Sequence, residues 1–404
     1  MIDAVALRSR FPLFARVPPP LHYLDNAATA QIHAAALEAM REFDTTARAN
    51  VQRGTHPLAE AANAAFEAAR ERVRRFLGAA SAEEVVFTAG ATAGLNLVAR
   101  AFGETLSAGD EVVVSAAEHH SNFLPWLQLR ERSGIVLRML PVGADGRLDL
   151  GALERTVTRR CRLVAVTHCS NVTGAITDVD VIVGAARAVG ARVLLDGAQA
   201  VQHGPVDVAA LGVDFYAFSG HKAFGPTGVG VLWGRREVLA GLPPFLTGGG
   251  MVGEAGLAGA EWLAPPARFE AGTPPVAGAV GLGAALDWMT GLPWNDIRAR
   301  EAALTGRLLD GLAGFPGLRL LGPADLARRA PLVSFELPGL HPHDIAQVLG
   351  DRGVAVRGGH HCARPLLAAL GSEGATRASL ALYNDEADVD ALLEGLAAAV
   401  RILS

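Results

Sequence analysis

Between residues 84 and 233 the chain alternates short apolar runs with longer amphipathic stretches. The apolar runs predict strands over 84–87, 109–115, 135–140, 162–167, 191–195, 213–218 and 229–233, and the amphipathic stretches predict helices over 55–77, 93–101 and 122–132. Several of the runs are almost continuously apolar rather than alternating, as expected of strands covered by helices on both faces. Strand and helix in regular succession predict a mostly parallel, doubly wound α/β sheet. After Trp233 the pattern changes. Residues 241–282 read as loop-rich, with Gly248 to Gly250, the Pro265-Pro266 pair and Gly272-Thr-Pro-Pro275. Helices follow over 294–314, 343–352 and 386–402, with strands over 332–335 and 354–356. This organisation predicts a large domain over 21–289, a smaller α+β domain over 290–404, and an N-terminal arm over 1–20 packing with the small domain.

Composition narrows the class. Of 404 residues, 50% are hydrophobic and 19% charged, enough apolar material for a sizeable core. The formal net charge is -5 with no basic run, so neither nucleic acid nor an anionic membrane is an expected partner. The first twenty residues hold no apolar core long enough for a signal peptide, and no stretch is long enough to span a bilayer. A cytoplasmic location is the expectation. Cys161, Cys169 and Cys362 form neither a disulfide framework nor a metal-ligand pattern, so no metal is expected. Cys161 and Cys169 flank or end an apolar strand and read as small buried hydrophobes.

Ligands of doubly wound sheets bind at the carboxyl ends of the strands, and the chemically interesting residues gather there. The runs lead to Gly90-Ala91-Thr92, to His119, to Asn171, to Asp196-Gly-Ala-Gln199 and to Ser219-Gly-His221-Lys222. Singly, each has an ordinary structural reading as a cap or turn residue. Five strand ends together match the needs of pyridoxal 5'-phosphate (PLP). Lys222 offers the Schiff-base amine, and Asp196 an acid for the pyridinium nitrogen. Gln199 can donate to the ring's phenolic oxygen, and His119 can stack on the ring. The amides of Ala91 and Thr92 at a helix start suit the phosphate, with Ser219 and His221 as further donors.

Asp196-Gly-Ala-Gln199 followed by Ser219 to Gly230 resembles the class V aminotransferase superfamily of PLP enzymes. More narrowly the chain resembles group II cysteine desulfurases of the Suf and Csd type. The likeness runs nearly end to end, through Tyr23 to Ala28, Ala117 to Asn122, Ser170 to Gly174, Phe269 to Pro274, Val356 to Ala363 and Arg377 to Ser379. It implies the fold type I architecture of PLP-dependent transferases, and a homodimer with its active site at the interface. It also implies that Thr273 reaches the phosphate of the neighbouring subunit's cofactor, and that Asn171 and Arg377, with Arg357, hold the substrate carboxylate. A guanidinium fork matches two carboxylate oxygens.

Cys362 sits in the Gly- and His-rich segment Arg357 to Arg364, an unusual place for a structural cysteine and a suitable one for a reactive thiol. The resemblance makes it the nucleophile. The expected reaction is removal of sulfur from L-cysteine, giving L-alanine and a persulfide on Cys362 for an acceptor protein of SufE type, with Lys222 and His119 moving protons. Selenocysteine lyase activity on L-selenocysteine, and a sulfur-relay role with little activity without a partner, are the alternatives. Two positions depart from the family pattern. Ala93 stands where an acid is common, and Gly358 where Thr or Ala is commoner, which adds freedom to the Cys362 segment.

Overall fold

The structure, a computed structural model, describes residues 4–403 apart from Pro19 and Arg53. The first three residues of the predicted N-terminal arm, and Pro19 within it, therefore lie outside the described residues. The core is a seven-stranded sheet. In chain order its strands are β1 (Val85–Thr88), β2 (Glu111–Ser115), β3 (Val136–Leu140), β4 (Cys161–Thr167), β5 (Arg192–Asp196), β6 (Phe215–Ser219) and β7 (Gly230–Gly234). Their spatial order is β1-β7-β6-β5-β4-β2-β3, and only β7 runs antiparallel to its neighbours. The continuously apolar strands are buried on both faces: Val112 to Val114, Leu163 to Val166 and Phe215 to Phe218 are all buried.

Helices cover the two faces. The first group is α1 (Ala34–Thr46), α2 (Pro57–Phe76), α3 (Ala91–Ala101), α4 (Leu124–Ser133) and α5 (Val179–Ala188). Then come α6 (Val276–Thr290) and α7 (Trp294–Ala313). Helix α6 corrects the loop-rich expectation for 241–282. Its glycines lower intrinsic helix propensity, yet they let α6 lie tightly on α1 and α2. A Cβ on Gly281 would sit 2.5 Å from Met40 Cγ, and one on Gly283 would sit 3.0 Å from Ala69 Cα. The same stretch also holds an antiparallel hairpin, Val252–Gly256 with Gly259–Trp262.

A four-stranded antiparallel sheet lies beyond α7. It is built from β8 (Arg319–Leu321), β9 (Leu332–Glu336), β10 (Arg357–Gly359) and β11 (Ala375–Ser379), in the order β8-β9-β11-β10. Its own apolar cluster joins Val333, Phe335 and Ala378 to Leu304 and Leu308 of α7 and to Leu392 and Leu396 of the last helix, α8 (Glu386–Leu403). The N-terminal segment bridges the two sheets. Phe11 packs edge-on to Phe224, Trp288 and Tyr383, while Arg8 pairs with buried Asp388 of α8. Asn26 donates to the Ser379 carbonyl at 2.6 Å, and Ser379 N donates to the Leu24 carbonyl at 2.7 Å. These bonds tie the N-terminal segment to the end of β11, while Gln199 Nε2, beyond β5 of the large sheet, donates to the Ala27 carbonyl of the same segment at 2.8 Å.

Candidate active site

A cavity of about 300 Å³ opens at the carboxyl ends of β4, β5 and β6, where the small sheet meets the large one. Lys222 lies on its wall, in the turn that follows β6. The turn is tight because β7 returns beside β6 at once. Gly220 N donates to the Val229 carbonyl at 2.9 Å, and Gly230 brings β7 so close to Gly90 that a Cβ would meet its Cα at 2.5 Å. Burial pushes the Lys222 ammonium down to about 8, against the opposing pull of Asp196. Asp196 ends β5 and is buried. Its Oδ1 accepts from Ala198 N at 3.0 Å, and no donor reaches its other oxygen among the described residues. Burial raises its pKa, and the charge of Lys222 lowers it.

One end of the cavity is a cradle of donors. Helix α3 begins after Gly90, whose φ of 148° and ψ of 175° suit only a glycine. Ala91 N donates to Ser219 Oγ at 2.8 Å, and Thr92 Oγ1 lies 2.7 Å from Ser121 Oγ. His221 Nδ1 is 3.0 Å from Thr29 Oγ1. Burial, helped by Lys222, pushes His221 down to about 4, so its ring is neutral at physiological pH.

His119 stands on the cavity wall with Nδ1 accepting from Ser121 N at 3.1 Å. Burial, then Lys222, His120 and Arg377, push it down to about 4. Beside it in sequence, Glu118 is buried and binds the strand ends together. It accepts from Asn122 Nδ2 at 2.6 Å, from Thr167 N at 2.8 Å and from the Ser115 hydroxyl. Burial lifts Glu118 to about 8 in spite of these donors. The sequence places Glu118 at this strand end beside His119 but gives it no role, because its three hydrogen bonds come from the folded strand ends.

The opposite wall comes from the small sheet. Arg377 of β11 is buried and donates through Nη1 to the Asn171 carbonyl at 2.8 Å and through Nη2 to Asp25 at 3.2 Å. Its Nε is buried with no hydrogen-bond partner. Arg357 of β10 pairs with the same Asp25 at 2.9 Å. Asp25 was overlooked as a site residue, although it lies within the quoted Tyr23 to Ala28 run. Asn171 Nδ2 donates to the His361 carbonyl at 2.7 Å, and Gln199 Nε2 donates to the Ala27 carbonyl at 2.8 Å. Each of these two amides keeps a second N–H.

Cys362 follows β10 and is exposed at the cavity mouth. Both His361 and Cys362 hold left-handed backbone, with φ of 51° and 54°, a conformation uncommon outside glycine. The segment is pinned at both sides of this bend. His120 N donates to the Cys362 carbonyl at 2.8 Å, and Cys362 N to His360 Nδ1 at 3.3 Å. Cys161 and Cys169 are buried, and burial pushes both thiols up to about 12, as expected of small structural hydrophobes.

One cavity thus gathers Ala91, Thr92, His119, Asn171, Asp196, Gln199, Ser219, His221, Lys222, Arg357, Cys362 and Arg377. Thr273 is not among them. It lies on an exposed turn just before α6.

Residues 22–392 match the family described as Aminotransferase class-V, a family of PLP-dependent enzymes. The chain is 45% identical over 98% of its length to a probable cysteine desulfurase of Streptomyces coelicolor, covering 97% of that protein. It is also 45% identical over its full length to a cysteine desulfurase of Dickeya dadantii, again covering 97% of it. Among solved structures, the Escherichia coli cysteine desulfurase CsdA superposes over the full length of both chains with a TM-score of 0.93 at 39% identity. The apo cysteine desulfurase of Thermococcus onnurineus superposes with a TM-score of 0.94 at 39% identity, over the whole of this chain and 99% of its own. The chain belongs to the class-V aminotransferase family and, within it, to the cysteine desulfurases.

Proposed function

We propose that this protein is a PLP-dependent cysteine desulfurase that takes sulfur from L-cysteine, releases L-alanine and holds the sulfur as a persulfide on Cys362. The observation that carries this reading is the meeting of a half-buried amine, a buried acid, a neutral histidine, a buried guanidinium and an exposed thiol around one small cavity.

The residues present fit the cofactor. Asp196 has one oxygen without a donor and would hold the proton of the pyridine nitrogen. Ala91, Thr92, Ser219 and His221 would take the phosphate, His119 would lie over the ring, and Gln199 has an N–H left for the phenolic oxygen. Lys222 would carry the cofactor. When bound, PLP supplies an electron sink for negative charge at the substrate's Cα.

The protein's own groups do the rest. Arg377 Nε, buried and unpartnered, donates to the substrate carboxylate, with Asn171 and Arg357 beside it. Lys222 removes the proton at Cα, a task suited to an amine whose pKa lies near the working pH. The Cys362 sulfur attacks the substrate sulfur. A sulfur–sulfur bond forms, the carbon–sulfur bond breaks, and its electron pair goes to Cβ, which is protonated as alanine forms. Neutral His119 is suited to carry protons in these steps.

The division into a cofactor-binding domain over 21–289 and a small domain from 290 belongs to the same proposal, as does a homodimer. Exposed Leu246, Leu257 and Trp262 on and beside the hairpin support a covered face, and the exposed Thr273 is free to serve a neighbouring site. Exposure of Cys362 supports hand-over to an acceptor protein of SufE type. The test is Cys362→Ala. This variant should retain the visible absorption of bound PLP and lose at least a hundredfold in alanine formation from L-cysteine. Undiminished alanine formation would overturn the assignment of Cys362.

A further inference from the structure

His361 precedes the proposed nucleophile in the chain, lines the same cavity and is only 8% exposed. Its Nε2 lies 2.9 Å from the carbonyl oxygen of Ala375. A carbonyl oxygen only accepts, so Nε2 carries the proton and Nδ1 is left as a bare acceptor. Nδ1 is buried and has no hydrogen-bond partner in the protein. Burial, then the charge of Arg377, pushes the ring down to about 3, so it stays neutral and keeps that lone pair. An acceptor left unmatched in a buried site costs stability, and such groups are rare in folded proteins. The ring is also firmly placed. Its backbone carbonyl accepts from Asn171 Nδ2 at 2.7 Å, and its Nε2 is tied to β11.

A second orphan belongs to another residue that lines the same cavity. Arg377 Nε is a donor without an acceptor, and it stands two residues beyond Ala375 on β11. A buried donor and a buried acceptor on one wall match a ligand with an anion at one end and a polar hydrogen at the other. L-cysteine has such a pair. With its carboxylate on Arg377 and its amino group directed to the Lys222 end of the cavity, the remaining donor is the thiol. The neighbour of His361 that must receive the sulfur is Cys362.

We infer that His361 Nδ1 accepts the hydrogen bond of the substrate's S–H, so that His361 selects a thiol-bearing amino acid and aims its sulfur at Cys362. The inference rests on the desulfurase reading and assigns one further specificity residue within it. L-alanine lacks the thiol, so it reports on all other contacts of the amino acid without this one.

The test measures the affinities of L-cysteine and L-alanine, by the change each causes in the absorption of bound PLP, in a Cys362→Ala background that cannot turn over. His361→Gln places an amide N–H near the position of Nε2 and keeps a donor for Ala375, but removes the Nδ1 acceptor. It should weaken L-cysteine about fivefold, the size of one modest neutral hydrogen bond, and leave L-alanine within twofold. His361→Asn places an amide oxygen near Nδ1 and should restore most of the preference. Equal weakening of both ligands by His361→Gln, or an unchanged preference, would overturn the inference. If His361→Gln does not fold, His361→Leu, which removes the acceptor, decides: L-cysteine weakened with L-alanine kept within twofold supports the acceptor role, and an unchanged preference refutes it. Failure of the wider desulfurase reading looks different, since the unmodified protein would then form no persulfide at all.

Discussion

Lys222, the amine proposed to carry the cofactor, shows how position changes the chemistry of an ordinary residue. An exposed lysine titrates near about 10.4, whereas burial brings this one down to about 8. Only the free amine attacks an aldehyde. A lowered pKa therefore means more of the reactive form at a given pH, with the reactive fraction rising as pH increases. The rate at which the cofactor-free protein takes up PLP should climb with pH and level off above about 8, and Lys222→Ala should abolish the covalent adduct. A midpoint near that of free lysine would contradict the half-buried placement. The residues proposed for the cofactor stood out in the sequence because they sit at the ends of apolar runs, where this class of sheet binds ligands, whereas Arg357, Arg377 and Cys362 were singled out largely through the family resemblance. The residues that hold them did not stand out. Asp25 joins Arg357 and Arg377 from more than 300 positions away, and the unmatched Nδ1 of His361 depends on a carbonyl on another strand. Neither relation has a local signature.

Among elements, the link between α2 and the segment leading to α6 is the most exacting. Arg70 is buried and holds Glu270 at 2.7 Å, while Glu270 also accepts from Phe87 N at 2.7 Å and Arg70 donates to the Val85 carbonyl at 2.8 Å. One ion pair thus fastens the edge strand β1, the helix α2 and the turn that carries Thr273. Removing one partner leaves a buried charge without compensation. Arg70→Ala should cost about 3–5 kcal/mol of stability, read from urea denaturation. A loss below about 1 kcal/mol would show that water or a neighbour replaces the guanidinium. The strands of the large sheet and most helices were legible from the apolar pattern, since a strand buried on both faces has no polar positions to disguise it, but β8 and β11 of the small sheet were not read as strands. Helix α6 was not legible either, because Gly278 and Gly281 fell in the stretch 241–282 that read as loop-rich. Gly281 and Gly283 pack closely against α1 and α2, while Gly278 lies against Val229, a tertiary gain that outweighs local propensity.

At the scale of the whole molecule, two sheets with separate apolar clusters meet at the cavity. The large sheet supplies the amine, the acid and the donors proposed for the phosphate. The small sheet supplies the guanidinium and the thiol. The division matches the chemistry, since the groups proposed for the cofactor come from one body and those proposed for the carboxylate and sulfur come largely from the other. Cys362 lines the cavity and is exposed, so under the proposed reaction sulfur taken from a buried substrate would end on an atom open to solvent. That path from interior to surface is the central claim, and one measurement addresses it directly. The PLP-loaded protein is treated with L-cysteine, alkylated without reductant, digested and examined by mass spectrometry. The account predicts one additional sulfur atom on the Cys362 peptide, absent after reduction, with none on the peptides of Cys161 and Cys169. Alanine formation with no added sulfur on Cys362, or with the sulfur on either buried cysteine, would contradict it.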